Sequence, residues 1–493
     1  MKAEEIPDRT TCVLRYILDR RAVDTPDKIF AVTPDGEEMT YREMHTEVRR
    51  LGRAFQDMGI KQGDYVSIWM PTSLETITIW YALNYIGATC VLMNTGYRGG
   101  VLEHVLHNSS SKVMFAHPTL AKRLADVDTA LIDTVVVTGD DAPDLPSLNT
   151  TRMCDLDSNG EVLPLSKEIE PWDTQAIIYT SGTTGPSKGV MSTYCHLHTM
   201  AMSVFSTREN ELMIGQDDRF MINMPLFHAG GAAPSYGMLA LGGSIALLET
   251  FKTDTFWRDV RNTQSTIVIL LGVMTSFLMK QPTNADDKAH CLKNVIVIPL
   301  TADGVNFRNR FGVNLHTKFN MSETSCPIIA EVNPTTVNVC GKARKGVELR
   351  LVDAHDCQVP KGQVGELVIR TDQPWAMTHA YLNNPQATAD AFRNGWFHTG
   401  DAFRQDEDGN YFFVDRFKDA IRRRGENVSS YEVEAEVVAH PAVREAAVVA
   451  VDSEHSEDDI LVAISFVEGQ SVEPAGDEPC PGRPCVRHGR RLG

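Results

Sequence analysis

A glycine- and hydroxyl-rich segment that ends in a lysine is the strongest chemical signal in the chain. It reads Thr180-Ser181-Gly182-Thr183-Thr184-Gly185-Pro186-Ser187-Lys188 and follows a short apolar run. Glycines let backbone N–H groups converge on an anion, hydroxyl groups add donors, and the lysine brings a compact positive charge. The segment is therefore a candidate phosphate cradle, with a plain flexible loop as the alternative. It does not have the Walker spacing, since Lys188 follows Pro186-Ser187 rather than a glycine.

Three weaker signals follow this segment along the chain. His228 comes after a strand-like run into a loop, where it would close over a pocket, although a single histidine is more often structural. Glu323 lies in Asn320-Met321-Ser322-Glu323-Thr324, a pattern that also occurs at ordinary helix starts. A basic run follows Asp415 and contains Arg416, Lys418, Arg422, Arg423 and Arg424. Taken alone, such a run is typical of a solvated face.

The elements that must position these residues alternate between strands and helices. Apolar runs predict strands at 65–70, 90–94, 113–116, 134–137, 244–248, 267–270 and 295–298, with helices between them. This alternation predicts an α/β sheet with crossover helices. The polar stretch from Gly139 to Asn159 reads as a loop, and shorter strands from about Val347 indicate a small β-rich subdomain.

Length and composition exclude several classes of protein. The chain has 493 residues, which exceeds what one hydrophobic core usually serves, so at least two domains are expected. Its net charge of −18 argues against general binding of nucleic acid or anionic membranes. The ten cysteines lack metal-ligand spacing and are expected to be reduced and mostly buried. The polar, acidic start is unlike a signal peptide, and no apolar run approaches the length of a membrane span, so a cytoplasmic protein is expected.

The order of the motifs resembles the adenylate-forming superfamily of acyl-CoA synthetases, luciferases and adenylation domains. The resemblance covers residues from about 10 to about 470. It rests on four segments in the order of that family, namely Tyr179 to Gly189, Met321-Ser322-Glu323, Gly395-Trp396-Phe397-His398-Thr399-Gly400-Asp401, and Asp415-Arg416-Phe417-Lys418-Asp419 with Gly425-Glu426-Asn427-Val428. The sequences of these motifs are most similar to those of bacterial fatty-acyl-CoA ligases and of carnitine- or crotonobetaine-CoA ligases.

The resemblance implies a ligase that condenses a carboxylate with ATP and then passes the acyl group to CoA. The triphosphate would be bound by donors in the loop, namely Thr180, Ser181, Gly182, Thr183, Thr184, Gly185 and Lys188. Glu323 would bind Mg²⁺ with help from Thr180, and a hard carboxylate oxygen suits an ion that bridges phosphates. Asn320, Met321 and Ser322 would lie at the adenine. The neighbouring Leu300-Thr301-Ala302-Asp303 departs from the usual glycine-rich strand end.

Other roles follow from the resemblance in the same way. Asp401 and Arg416 would bind the ribose hydroxyl groups, and His228 would lie as a gate beside the acyl carboxylate. Lys418 would lie at the hinge of the C-terminal domain. Gly425 would let the pantetheine thiol pass close to the backbone, and Arg422 with its neighbouring arginines would hold CoA phosphates.

The resemblance also implies the domain organisation. A large N-terminal AMP-binding domain, residues 1–415, would hold two α/β subdomains and a small β-rich subdomain. A hinge at 416–419 would lead to a partial α+β C-terminal domain at 420–475 and an irregular tail at 476–493. The oligomeric state is open, and a homodimer is one option.

The sequence indicates the class of the acid substrate but not its identity. Amino-acid-adenylating relatives carry an Asp after the Phe that matches Phe227, and His228 in that place favours a plain carboxylic acid. Pocket candidates near Met224, Gly272, Val273 and Met274 are mostly apolar, which suits an acyl chain.

The C-terminal segment departs from the family. Relatives reach a lysine that contacts the acyl carboxylate and the α-phosphate, whereas the last lysine here is Lys418. The tail is rich in Pro, Gly and Arg, and its Cys480 and Cys485 lack the further ligands of a zinc site. We therefore expect impaired adenylation, because one fixed cation is missing at the transition state. The alternative function is a nucleotide- or acyl-binding protein with little ligase activity.

Overall fold

A computed structural model gives the fold of the chain. The structure describes residues 6–139, 143–156, 158, 160–180, 186–416, 421–423, 426–428, 433–434, 437–438, 440, 442–452, 458–467 and 469–470. The helices are α1 (Arg9–Cys12), α2 (Leu14–Asp24), α3 (Tyr41–Asp57), α4 (Leu74–Tyr85), α5 (Gly99–Ser109), α6 (Pro118–Ala121), α7 (Tyr194–Val204), α8 (Ala229–Leu241), α9 (Phe256–Thr263), α10 (Gly272–Lys280), α11 (Ala302–Phe311) and α12 (Pro385–Ala391).

Two seven-stranded sheets form the greater part of the fold. The first contains β3 (Tyr65–Trp69), β4 (Thr89–Leu92), β5 (Val113–Ala116), β6 (Thr134–Val137), β7 (Asn149–Arg152), β8 (Thr174–Thr180) and β9 (Lys188–Thr193). The second contains β1 (Ile29–Val32), β2 (Glu38–Thr40), β10 (Arg219–Ile222), β11 (Ser244–Leu247), β12 (Ile267–Leu271), β13 (Asn294–Ile298) and β14 (Asn314–His316). Each sheet is parallel except for one antiparallel edge pair, β8 with β9 and β1 with β2.

The strand orders differ from the order of the strands along the chain. They are β7-β6-β5-β3-β4-β8-β9 in the first sheet and β14-β13-β12-β10-β11-β1-β2 in the second. The inner strands are mostly apolar and buried, with a few polar residues such as Ser67 and Gln175, as expected of parallel strands covered on both faces. β8 therefore delivers its carboxyl end, and the candidate phosphate loop after it, to one edge region of the first sheet.

Helix α3 shows how the sequence defines these elements. Thr40 and Glu43 form a reciprocal capping box at its start, which satisfies two backbone donors. Met44, Val48 and Phe55 recur at helical spacing and are fully buried. Every residue of α4 except Glu75 is buried, so it lies inside the protein as a core helix.

Smaller strands follow, and the chain forms two compact units. Residues up to Leu349, with Ile369–Phe397 and Asp408–Tyr411, make up the first unit, and the second holds the remainder. The further strands are β15 (Lys318–Phe319), β16 (Ile328–Ile329), β17 (Val339–Ala343), β18 (Val347–Val352), β19 (Val364–Thr371), β20 (Phe392–Arg393), β21 (Trp396–Gln405), β22 (Tyr411–Arg416), β23 (Ile421–Arg423), β24 (Glu426–Val428), β25 (Val443–Asp452) and β26 (Asp458–Phe466). Four of these strands are neighbours in the order β22-β21-β19-β18, and β23-β24 and β25-β26 are separate antiparallel pairs.

The predicted mixed α/β fold is confirmed, with two corrections in detail. The polar stretch that was expected to be a loop contains β7, whose residues pair in parallel with β6. The cysteines were expected to be mostly buried, but of the eight described free cysteines only Cys12, Cys90, Cys195 and Cys326 are buried. The polar side chains of β7 misled the prediction, since an edge strand can form without an apolar face.

Among the residues that the structure describes, no helix combines the length and the hydrophobicity that a membrane span requires.

Candidate active site

The candidate phosphate loop connects an antiparallel hairpin at the edge of the first sheet. Thr180, the last residue of β8, is paired with Lys188, the first residue of β9. Ser181, Gly182, Thr183, Thr184 and Gly185 lie outside the described residues. The His104 ring lies 2.9 Å from the carbonyl oxygen of Ser187 through Nε2, which ties the end of the loop to α5. The hairpin thus places a hydroxyl group and an ammonium group at the two ends of the loop.

A segment from Thr378 to Leu382 runs alongside β9 and holds it in place. The backbone N–H of Leu382 donates to the Gly189 carbonyl at 2.8 Å, and that of Met191 donates to the Ala380 carbonyl at 3.2 Å. Gly189 is required for this approach, because a Cβ there would lie 2.9 Å from Cγ2 of Ile177 and 3.3 Å from Cβ of Leu382. The segment therefore brings Tyr381 next to the lysine.

Tyr381 joins the two strongest candidate residues. The Lys188 ammonium lies 5.0 Å from the centroid of the Tyr381 ring, in cation–π geometry. The Tyr381 hydroxyl donates to Oε1 of Glu323 at 2.9 Å. Burial, and then the Glu323 charge, raise the pKa of Tyr381, so the phenol remains protonated and remains a donor. Sequence reasoning missed this residue, since nothing in Tyr381-Leu382-Asn383-Asn384-Pro385 alone marks its hydroxyl as a partner of a carboxylate.

Glu323 is buried and fixed at the backbone as well as at the side chain. Its side chain and backbone together are 5% exposed, and its carbonyl accepts from the Thr378 N–H at 2.9 Å. Asn320, Met321 and Ser322 precede it and are half-buried. Thr378 also donates through Oγ1 to the Met191 carbonyl at 3.0 Å, so the same short segment holds both β9 and the Glu323 turn.

These residues fit a magnesium ion that is carried by a nucleotide. Within the described part of the chain, no three His, Cys, Asp or Glu side chains come together as a metal site. Mg²⁺ does not need such a cluster, because it keeps waters and binds through one or two carboxylates plus substrate phosphates. Glu323 and Lys188, which both contact Tyr381, offer one hard carboxylate and one cation that could bind phosphate.

His228 forms the N-cap of α8. Its Nδ1 accepts from the Gly230 N–H at 3.0 Å, so Nε2 carries the proton in the neutral ring. The side chain remains accessible to solvent, yet desolvation by the surrounding protein lowers the pKa of His228. The ring is therefore a neutral donor at the start of a 13-residue helix, whose N-terminus favours anions.

The apolar pocket candidates lie near this histidine in sequence or on α10. Met224 lies 3.7 Å through Cγ from a Cβ placed on Gly230. Gly272 has no room for a side chain, since a Cβ would lie 2.7 Å from Cγ2 of Thr301. Met274 accepts weakly through its sulfur from the Asn223 amide at 3.9 Å, and Val273 is exposed.

The second unit contains the predicted ribose pair. Asp401 is buried, and its carboxylate lies 3.8 Å from Nε of Arg416. Glu366 fixes the turn before Asp401, because its carboxylate accepts from the Gly400 N–H at 3.0 Å and lies 2.9 Å from the His398 ring. A carboxylate and a guanidinium at this distance offer an acceptor and a donor to vicinal hydroxyl groups.

The remaining predicted residues lie wholly or partly outside the described part of the chain. Lys418 and Gly425 are not described, and Arg422 is described only as part of the backbone of β23. Their assigned roles stay predictions.

The chain is similar to known proteins over most of its length. The family described as AMP-binding enzyme matches residues 18–382. A crotonobetaine/carnitine–CoA ligase of Salmonella paratyphi B is 30% identical over 453 residues, which cover 89% of this chain and 86% of that protein. A crotonobetaine/carnitine–CoA ligase of Proteus mirabilis is 29% identical over 451 residues, with 88% and 85% covered.

Solved structures share the fold. The anthranilate CoA ligase AuaEII in complex with anthranoyl-AMP superposes with a TM-score of 0.81 at 22% identity and covers 94% of this chain and 89% of that one. The O-succinylbenzoate coenzyme A synthetase of Bacillus subtilis, solved with ATP and magnesium ion, gives 0.78 at 21% identity, with 93% and 90% covered. The matched residues and the covered lengths show that the chain belongs to the AMP-binding enzyme family.

Proposed function

We propose that this AMP-binding enzyme is an AMP-forming acid–CoA ligase, which activates a carboxylic acid with ATP as an acyl-adenylate and transfers the acyl group to CoA. The observation that carries the proposal is the position of Tyr381, whose ring contacts Lys188 and whose hydroxyl donates to Glu323. One residue thus holds a phosphate-binding cation and a carboxylate at a fixed separation. A triphosphate with its metal ion requires both groups.

Thr180 and Lys188 would bind the β- and γ-phosphates, and residues Ser181 to Gly185 would add further donors to them. Glu323 would hold Mg²⁺, and Thr180 would lie beside it. When bound, such an ion would neutralise negative charge on the phosphates. Asn320, Met321 and Ser322 would lie at the adenine, and Asp401 and Arg416 at the ribose.

A plain carboxylic acid is the proposed substrate. His228 supports this, since its Nε2–H is a neutral donor for a carboxylate and its N-cap position adds the favourable end of the α8 dipole. An amino-acid substrate would instead need an anionic partner for its ammonium group. The apolar side chains of Met224 and Met274 suit an acyl chain. Crotonobetaine and carnitine, which the names of the relatives contain, carry a quaternary ammonium group, so they are compared directly with plain acids in the test below.

The second half-reaction rests on residues beyond the described part of the chain. Lys418 would lie at the hinge between residues 1–415 and 420–475, Gly425 along the path of the thiol, and Arg422 at the CoA phosphates. A cytoplasmic location and a homodimer belong to the same proposal. The free thiols of the described cysteines support a reducing compartment.

Product analysis with the full chain tests the proposal. The protein is incubated with ATP, Mg²⁺, CoA and a panel of acids, and AMP and the acyl-CoA are measured by mass spectrometry. We expect acid-dependent AMP and one preferred thioester. ATP binding without AMP formation for any acid would support the alternative of a nucleotide-binding protein.

A further inference from the structure

The turn that carries Glu323 is closed by its own side chains. Oδ1 of Asn320 accepts two hydrogen bonds, from the Cys326 N–H at 2.7 Å and from Oγ1 of Thr324 at 3.1 Å. Oγ1 of Thr324 in turn accepts from the Met321 N–H at 3.1 Å. Asn320 therefore spans the turn from its first residue to its last, with Thr324 at the centre.

A second group reaches the same threonine from α7. Nε2 of His196 lies 3.0 Å from the Thr324 carbonyl oxygen, and a carbonyl can only accept, so Nε2 carries the proton. The His196 ring is fully buried, and Nδ1 has no hydrogen-bond partner among the described residues. The start of α7 is fixed by Thr193, whose hydroxyl accepts from the His196 N–H at 3.0 Å. His196 is thus a donor on a rigid element, aimed at the residue after Glu323.

We propose that Asn320 and His196 are positioning residues, which hold Thr324 from two sides and thereby fix the Glu323 carboxylate for a magnesium–nucleotide complex. Tyr381 and Thr378 hold Glu323 itself, and Asn320 and His196 hold the turn beneath it. Mg²⁺ requires nearly octahedral coordination. Displacement of the Glu323 carboxylate should therefore weaken the binding of Mg²⁺ more than it weakens the binding of the nucleotide. The inference rests on the proposed role of Glu323 in metal binding.

Binding measurements on the full chain test it without any turnover. The affinity for ATP is measured by calorimetry across a Mg²⁺ titration and also in EDTA. In His196→Leu we expect the Mg²⁺ concentration for half-maximal ATP binding to rise about tenfold, with the affinity in EDTA unchanged. Asn320 also lies at the proposed adenine site, so in Asn320→Ala we expect a similar rise in the Mg²⁺ requirement beyond any loss of ATP affinity measured in EDTA. His196→Gln keeps an amide donor at a similar reach and should return that concentration to near the wild-type value. His316→Gln, a buried histidine that contacts Asn294, is the matched control and should leave it unchanged.

Asn320 and His196 hold the same residue, so their effects should not add. The double variant is expected to raise the Mg²⁺ requirement by less than the product of the two single changes. Asn320 is half-buried, so Asn320→Ala tests the inference even if His196→Leu does not fold. An unchanged Mg²⁺ requirement in Asn320→Ala and in folded His196→Leu would overturn the inference, as would equal weakening of ATP binding with and without Mg²⁺ in His196→Leu. Wild-type protein that binds ATP regardless of Mg²⁺ would overturn it too. Metal-dependent binding without AMP formation would contradict the ligase function alone.

Discussion

At the scale of single residues, Tyr381 contacts both charged side chains of the candidate site, Lys188 and Glu323. A lysine side chain is flexible, and a buried carboxylate needs a donor to keep its charge inside the protein. The Tyr381 ring and hydroxyl meet these two needs from one side chain. The separation of the two charged groups is therefore set before any nucleotide arrives.

Replacing Tyr381 with Phe removes only the hydroxyl group and keeps the ring beside Lys188. A hydrogen bond to a charged group contributes about 1.5–3 kcal/mol, so we expect kcat/KM for MgATP to fall by roughly 10- to 100-fold. Steady-state kinetics with varied ATP measure this. Tyr81→Phe is the matched control, since it removes a buried hydroxyl that donates to the Ser235 carbonyl at 3.2 Å. Equal losses in the two variants would contradict a specific role for Tyr381.

Some residues of the candidate site could be identified from the sequence and others could not. Lys188 and Glu323 were singled out in the sequence because their residue types suit phosphate and metal binding and their neighbours match the family pattern, and their roles stay predictions. Tyr381 and His196 were not, since each acts through a contact between segments far apart in sequence. The hydroxyl of a tyrosine or the proton of an imidazole gains a role only when the fold supplies its acceptor.

At the scale of elements, the site depends on how closely β9 packs between β8 and the Thr378–Leu382 segment. Strands with continuous apolar runs were predicted within one or two residues, as β5 and β6 illustrate. β7 was missed because its residues Asn149–Arg152 are polar, and the β9 packing was not visible at all. Pairing partners are decided by tertiary contacts rather than by local periodicity.

Gly189→Ala tests this packing. The added Cβ would lie 2.9 Å from Cγ2 of Ile177 and 3.1 Å from Cζ of Tyr179, so β9 must shift. We expect unfolding free energy to fall by about 1–3 kcal/mol, with weaker ATP binding, because overpacking in this range is typical. Gly215→Ala is the matched control, since nothing lies within 4 Å of its added Cβ. Chemical denaturation measures both, and equal stability of the two variants would contradict the packing argument.

At the scale of the whole molecule, buried histidines make stability depend on pH. Burial lowers the pKa of His316, and of His196, to about 4. The unfolded chain binds these protons near pH 6.5, so between about pH 6.5 and pH 4 it holds more protons than the folded chain. Stability is therefore lost as the pH falls through this window. At pH 5 the loss is on the order of 2 kcal/mol for each histidine.

Urea denaturation followed by the fluorescence of buried Trp69 and Trp80 measures this dependence. We expect the urea concentration at the unfolding midpoint to be lower at pH 5 than at pH 7 in the wild type. The difference should be smaller in His316→Gln, which keeps a donor for Asn294 but does not titrate. A pH dependence identical in the two proteins would contradict the assignment.

The fold class and the ligase family followed from motif order, whereas the acid substrate did not. Substrate choice depends on the shape of a pocket whose side chains, such as Met224 and Met274, are chemically alike.

Pyrophosphate–ATP exchange tests the central claim, that Glu323 beside Lys188 and Tyr381 forms the magnesium–triphosphate site of an acid-activating enzyme. The full chain and Glu323→Gln are compared with the acid that the product analysis prefers. We predict acid-dependent exchange in the wild type and a loss of at least about 100-fold in Glu323→Gln, since its amide cannot replace the anionic ligand. Exchange at the wild-type rate in Glu323→Gln would contradict the account.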